Sequence, residues 1–373
     1  MTRQLGLSAY QDTRTPPTHG DPATTMTTAH DNPTTVPGAA PESVDSPPVS
    51  EAPARAARAS VLTRFGVPLF LVLLIAAFSV ALPETFPKGG NLRAVLADQS
   101  IPLILALAAV LPLTAGEFDL SIGAVLGFSS ITAISLSEAG LPWPAVLACT
   151  LIVGLVIGAV NAVLVVGIGV NAFIATLASA TVLSGLNLLV TKSSLLTLSS
   201  ESYQALTITR FAGGLQVVVC FAVVVAAVMW YVMERTPYGR YLRATGLGRD
   251  AARLSGVRTK RYLTSAFVAA GVLAAFAGFL QASRSGSAPP TLGPEFLLPA
   301  YAAAFLGATC IKPGFFNVLG TVTGVLLLAV GSNGLTLAGA QTWVTNVFNG
   351  VALALAVSIS VLVTRSKNRA RVR

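Results

Sequence analysis

Between Phe65 and Val363 the sequence is a succession of ten apolar runs, about 65–82, 95–115, 120–137, 143–168, 171–190, 214–233, 263–283, 296–311, 316–334 and 343–363. Each is long enough, or nearly so, for a helix to cross a hydrocarbon core of about 30 Å. Backbone polar groups in lipid must be satisfied within the segment. A barrel would need alternating ten-residue strands, which these runs are not, so they read as helices. Composition agrees: 53% of the residues are hydrophobic and only 10% are charged, against about 25% charged in soluble domains. The expected fold is an all-α, polytopic transmembrane helical bundle of about ten spans.

The basic residues set the orientation. If the amino terminus is inside, the inner segments hold seventeen Lys and Arg and the outer loops five, Lys88, Arg93, Lys192, Arg210 and Arg284. The positive-inside rule then predicts both termini in the cytoplasm, a parity that an even number of spans satisfies. The net charge of +9 is therefore a topology signal and not a nucleic-acid face, since no basic surface interleaved with aromatics is present. Residues 1–60, rich in Pro, Thr, Ala and Ser, read as a disordered cytoplasmic tail. Residues 61–364 form the membrane domain, and 365–373 a basic cytoplasmic tail.

Catalytic signatures are missing. The two histidines, His19 and His30, lie in the polar tail. Cys149, Cys220 and Cys310 have no metal-ligand spacing and read as buried hydrophobes. There is no G-x-x-x-x-G-K-[ST] phosphate loop, no H-E-x-x-H and no G-x-S-x-G elbow. No metal, no cofactor and no enzymatic activity are expected of this chain.

Three segments carry information. Leu113-Thr-Ala-Gly-Glu-Phe-Asp-Leu-Ser-Ile-Gly123 places two carboxylates, Glu117 and Asp119, among about forty mostly apolar residues. Such groups line an aqueous path or pair with other groups, and Gly116 and Gly123 would allow a broken helix. The segment reads equally well as a short loop in which Asp119 caps the next helix. The inner loop 234–262 has a turn at Pro237 and Gly239, a short helical stretch with Asp250 near its start, and Gly256 to end it. It reads as a topology-setting charge cluster or as a docking module. The third segment turns at Lys312, Pro313 and Gly314. The pairs Gly123/Gly127, Gly154/Gly158 and Gly320/Gly324 have G-x-x-x-G spacing, which serves helix packing within one bundle or between chains. Polar residues inside the spans, Asn161, Thr176 and Asn187 among them, read as interhelical hydrogen-bonding groups.

Taken together these segments resemble the membrane permease subunit of bacterial ATP-binding-cassette importers of the ribose, xylose, arabinose and galactose type. Gly116-Glu-Phe-Asp-Leu-Ser-Ile-Gly123 is similar to the family's G-G-I-D-L-S-V-G, with Glu117 in place of a glycine. Gly248-Arg-Asp-Ala-Ala-Arg-Leu-Ser-Gly-Val257 resembles its G-N-x-E-A-A-x-L-S-G-I segment, after a matching Thr236-Pro-Tyr-Gly-Arg240. Leu306-Gly-Ala-Thr309 with Gly320-Thr-Val-Thr-Gly324, and Ala172-Phe-Ile-Ala-Thr-Leu177, complete the match over about residues 60–363.

The resemblance implies a coupling loop at 234–262 carrying Pro237, Tyr238, Gly239, Arg240, Gly248, Asp250, Ala251, Arg253, Ser255 and Gly256. It implies a signature or gating segment with Gly116, Glu117, Asp119, Ser121 and Gly123, and helix packing at Gly154, Gly158, Gly320 and Gly324. It also implies a second permease copy, two cytoplasmic ATPases that bind ATP and Mg, and an extracytoplasmic solute-binding protein. The setting would be the bacterial inner membrane, and the cargo a monosaccharide. The residues alone leave one rival open, an ion-coupled secondary carrier using Glu117 and Asp119.

Overall fold

The computed structural model describes residues 53–372, with side-chain surroundings described for 65–358 except Ala212. Residues 1–52 of the expected tail lie outside the described residues. Fourteen α-helices follow among the described residues: α1 (Pro53–Ala81), α2 (Gly89–Asp98), α3 (Ser100–Thr114), α4 (Ile122–Glu138), α5 (Trp143–Ala162), α6 (Ala172–Thr191), α7 (Glu201–Ile208), α8 (Val217–Arg235), α9 (Pro237–Leu247), α10 (Arg249–Leu254), α11 (Thr259–Ser285), α12 (Pro294–Thr309), α13 (Val318–Leu337) and α14 (Thr342–Val372). A π-helical turn, Val163–Ile168, extends α5, and a 3-10 turn, Ala212–Gly214, precedes α8. Two short antiparallel strands, β1 (Leu196–Thr197) and β2 (Ser287–Ala288), pair Leu196 with Ala288 and Thr197 with Ser287.

Nine of the ten apolar runs each coincide with one helix, run 95–115 is shared between α2 and α3, and the chain is an all-α membrane protein. Among the described residues six helical stretches are long and apolar enough to cross a membrane: Gly89–Thr114, Trp143–Ile168, Ala172–Thr191, Val217–Arg235, Thr259–Ser285 and Val318–Leu337. Helix α4 is shorter, at 17 residues, and α12 has 16. Helix boundaries differ from the sequence reading at both ends. Helix α1 begins at Pro53, within the expected tail; alanines and arginines behind a first-turn proline are good helix material. Helix α14 continues through the basic residues to Val372.

Helices α3 and α11 form the centre. Helix α3 (SIPLILALAAVLPLT) is apolar on every side and is buried along almost its whole length, as expected for a helix surrounded by others. Helix α11 is built of Ala and Gly on its packed faces, which lets neighbours approach its backbone. A Cβ on Gly271 would lie 2.4 Å from the Gly154 carbonyl oxygen, and one on Gly158 would lie 2.7 Å from that of Phe267. The Gly154/Gly158 pair therefore seats α5 on α11 within the chain. Gly320 and Gly324 do the same for α13 on α12, approaching Gly307 and Ala303. Helices α5, α6 and α8 turn exposed apolar faces outward, among them Ile152, Val160, Leu189 and Val224.

Segment 192–216, read from sequence as an outer loop, is folded. Helix α7 inserts Tyr203, fully buried, whose hydroxyl donates to the Phe279 carbonyl (2.7 Å) and whose ring stacks on Phe279 at 4.8 Å. Thr207 and Ser283 add a hydroxyl pair at 2.8 Å.

Candidate functional site

Pro112 sits in the last turn of α3, two residues before its end at Thr114, and cannot donate a helical hydrogen bond. Gly116 then takes a left-handed conformation (φ +83°), which costs a side-chain-bearing residue about 1–2 kcal/mol. The chain leaves α3 and crosses to α4 through residues 115–121, so the two carboxylates do lie in a break between helices.

Asp119 is completely buried in that break. Its Oδ1 accepts the Ser121 backbone N–H (3.0 Å) and the Ser121 hydroxyl (2.5 Å). This Asx turn holds the entry to α4. The Asn161 amide of α5 donates to the Ser121 hydroxyl oxygen (2.8 Å), and the Ser179 hydroxyl of α6 donates to the Asn161 carbonyl oxygen (2.5 Å). The Leu120 N–H donates to the Thr176 hydroxyl oxygen (3.0 Å). On the other side, the Tyr301 hydroxyl of α12 accepts the Asp119 N–H and donates to the Asp119 carbonyl, both at 2.9 Å. Phe118 stacks on the Tyr301 ring at 5.9 Å. One linker thus ties α4, α5, α6 and α12 together. Asp119 Oδ2 has no hydrogen-bond partner among the described residues.

Glu117 points the other way and forms an ion pair with Arg249, the first residue of α10. The signature segment and the inner loop are therefore in direct contact. The same junction is made by backbone: a Cβ on Gly246 of α9 would lie 2.1 Å from the Thr114 carbonyl oxygen.

Segment 234–262 is a two-helix module. Thr236 precedes α9 in extended conformation and Pro237 opens it. Gly239 is buried, with room only for hydrogen beside the Met233 carbonyl. Tyr238 reaches the Ser265 hydroxyl (3.1 Å) and packs on Tyr262. Glu234, at the end of α8, pairs with Arg243 of α9 and with Lys312 of the α12–α13 turn. Gly248 links α9 to α10 in extended backbone. Helix α10 closes on Gly256 (φ +84°), whose N–H reaches the Arg253 carbonyl while that of Val257 reaches Ala252; this is a Schellman closure. The Ser255 hydroxyl donates to the Ala251 carbonyl at 3.0 Å. Asp250, Arg253 and Arg240 face solvent. So do the apolar side chains of Leu247 (73% exposed) and Leu254 (88% exposed).

Gly123 belongs to packing: with Gly127 it lets α4 touch the backbone of Leu292 and Gly293. Asn317 caps α13 at the Gly320 N–H (2.7 Å) and donates to the Gly307 carbonyl (2.9 Å). Residues the sequence reading did not single out are Glu234, Gly246, Arg249 and Tyr301. Among the described residues no three His, Cys, Asp or Glu side chains come together as a metal site requires.

Residues 91–357 match the family described as the permease component of the branched-chain amino acid transport system. The chain belongs to this permease family. It is 32% identical to the ribose import permease protein RbsC of Haemophilus influenzae over 295 residues, covering 78% of this chain and 90% of that protein. It is 28% identical to the D-allose transport system permease protein AlsC of Escherichia coli, covering 81% and 93% of the two chains. With the galactose/methyl galactoside import permease protein MglC of Haemophilus influenzae it shares 29%, covering 79% and 93%. No solved structure matches the chain. The permease is a multi-pass protein of the inner membrane.

Proposed function

We propose that this permease is the transmembrane subunit of an ATP-driven, binding-protein-dependent importer, and that it provides a gated path for a monosaccharide. The observation that carries the reading is the build of the α9–α10 module. It offers Leu247, Leu254, Asp250 and Arg253 to solvent, while Glu234, Gly239, Gly246 and Arg249 fix it to α8, α3 and the α3–α4 linker. A part so fixed transmits a push as a rigid body. In this reading α10 docks on a cytoplasmic ATPase that binds ATP and Mg, two permease copies pair, and an extracytoplasmic binding protein delivers the sugar. All ten apolar helices span the membrane with both termini in the cytoplasm, an arrangement supported by the inner excess of Lys and Arg. The sugar class is supported by the ribose, allose and galactose permeases named above.

Asp119 keeps the carrier reading in view, because one oxygen of a buried carboxylate is unpartnered. Glu117 favours it less, being held by Arg249. Reconstitution separates the two. Liposomes holding the chain, its ATPase and its binding protein should take up labelled sugar only with ATP inside. Uptake by the chain alone in a proton or sodium gradient would overturn the importer reading.

A further inference from the structure

At the amino-terminal end of α11 lies an open cavity of about 460 Å³. Its charged wall is made by Arg253, Arg258, Lys260 and Arg261, together with Arg249. Asp250 is the one carboxylate on that wall. Arg249 is engaged by Glu117, and Arg253 stands 3.9 Å from Asp250. Among the described residues Arg258, Lys260 and Arg261 have no carboxylate within ion-pair distance. Several uncompensated cations around one concave space attract an anion.

The rest of the lining is mostly apolar: Val165 and Val166 of the π-helical turn, with Val257 and Leu263. The same turn exposes Val163 and Ile168, and α6 beside it exposes Phe173 and Ile174. A soluble phosphate would use the cations and leave these side chains idle. A phospholipid has both an anionic head and chains that need apolar contact, and the cavity lies at the end of a membrane-length helix. Basic clusters beside membrane helices recruit acidic lipids in this way.

We propose that this cavity binds the headgroup of an acidic phospholipid, with the acyl chains along Val163, Ile168 and Phe173. The cavity shares Asp250 and Arg253 with the face of α10 proposed above to meet the ATPase, so the test includes that partner. The site places an acidic lipid against Arg249 and Arg253, so the composition of the membrane bears directly on the α10 module.

The test is native mass spectrometry of the full chain, purified in detergent and stripped of lipid. It is titrated with phosphatidylglycerol, with phosphatidylcholine of the same acyl chains, and with glycerol phosphate. The expected result is a preference of about tenfold or more for phosphatidylglycerol over phosphatidylcholine, with no retention of glycerol phosphate. The triple substitution Arg258→Gln, Lys260→Gln and Arg261→Gln should bring that preference close to unity. Arg93→Gln with Arg210→Gln, in the cleft at the other end of α11, should leave it intact. Should the triple variant fail to purify, Arg258→Gln and Arg261→Gln singly should each lower the preference by about threefold. An unchanged preference in the variants, equal binding of the two lipids, or retention of glycerol phosphate would overturn the proposal. So would release of the lipid on adding the partner ATPase, because the cations would then belong to a protein contact.

Discussion

Gly246→Ala tests whether the inner module is seated on α3 as described. The added methyl would lie 2.1 Å from the Thr114 carbonyl oxygen, 3.0 Å from the Ala115 carbonyl carbon and 3.1 Å from the Gly116 nitrogen. All three are backbone atoms, so no side chain can swing aside. Ordinary C···O contact begins near ~3.3 Å, so α9 must retreat by about 1 Å. Overpacking of this kind costs about 1–3 kcal/mol. Alanine recovers about 0.5–1 kcal/mol over glycine inside a helix, leaving a net loss of up to about 2.5 kcal/mol. Gly248→Ala, two residues on, is the matched control. Its nearest neighbour is the Ala251 Cβ at 3.8 Å, and its φ of 173° suits any residue. In the purified chain at a fixed heating rate, Gly246→Ala should lower the apparent melting midpoint by roughly 2–4 °C. Gly248→Ala should not lower it. In the reconstituted importer, Gly246→Ala should also reduce uptake per ATP hydrolysed. If Gly246→Ala melts at or above Gly248→Ala, the close junction of α9 with α3 is wrong.

Reversing either partner of the Glu117–Arg249 pair should reduce uptake, and Glu117→Arg with Arg249→Glu together should restore it. Their side chains are 22% and 45% exposed, which puts the coupling near the upper end of surface pairs, about 1 kcal/mol. A double-mutant cycle on uptake and melting reads it, and a reversal that rescues nothing refutes the contact. For the same reason Glu117→Gly, which loses this one pair, should cost less in melting midpoint than Asp119→Ala, which leaves the buried Ser121 N–H and hydroxyl without their acceptor. Tyr301→Phe should lower the melting midpoint more than loss of a surface hydroxyl does, because the Asp119 N–H and C=O both lose their partner in a buried place, at about 1–3 kcal/mol for each unpaired group. An unchanged midpoint in Tyr301→Phe would remove that bridge from the account.

The helices were legible because their signal is local. An apolar run of 20 residues needs no knowledge of its partners, and Pro237, Gly256 and Gly314 mark turns by backbone chemistry alone. Run 95–115 hid a break at Gln99, where α2 gives way to α3; a polar residue there is a weak sign of it. The contacts were not legible. Asn161 was visible as a polar residue in a span, but its partners Ser121 and Ser179 lie 40 and 18 residues away. Glu117 stood out as an odd carboxylate, yet Arg249 is 132 residues further on. Tyr301 looked like any aromatic in an apolar run until α12 brought it to Asp119. Gly246 was overlooked beside Gly248, and nothing in the string Gly-Leu-Gly says which glycine meets a backbone.

Helix α7 also sets a clock for biosynthesis. Tyr203 has its seat on Phe279, which the ribosome adds 76 residues later, and β1 waits longer still for β2. At about 5–20 residues per second that is an interval of about 4–15 s. During it Tyr203 has no Phe279 ring to stack on, and the segment before α8 cannot take its final place. Slowing elongation between α8 and α11 would prolong that interval, and with it the time in which a protease at that face could reach the nascent chain.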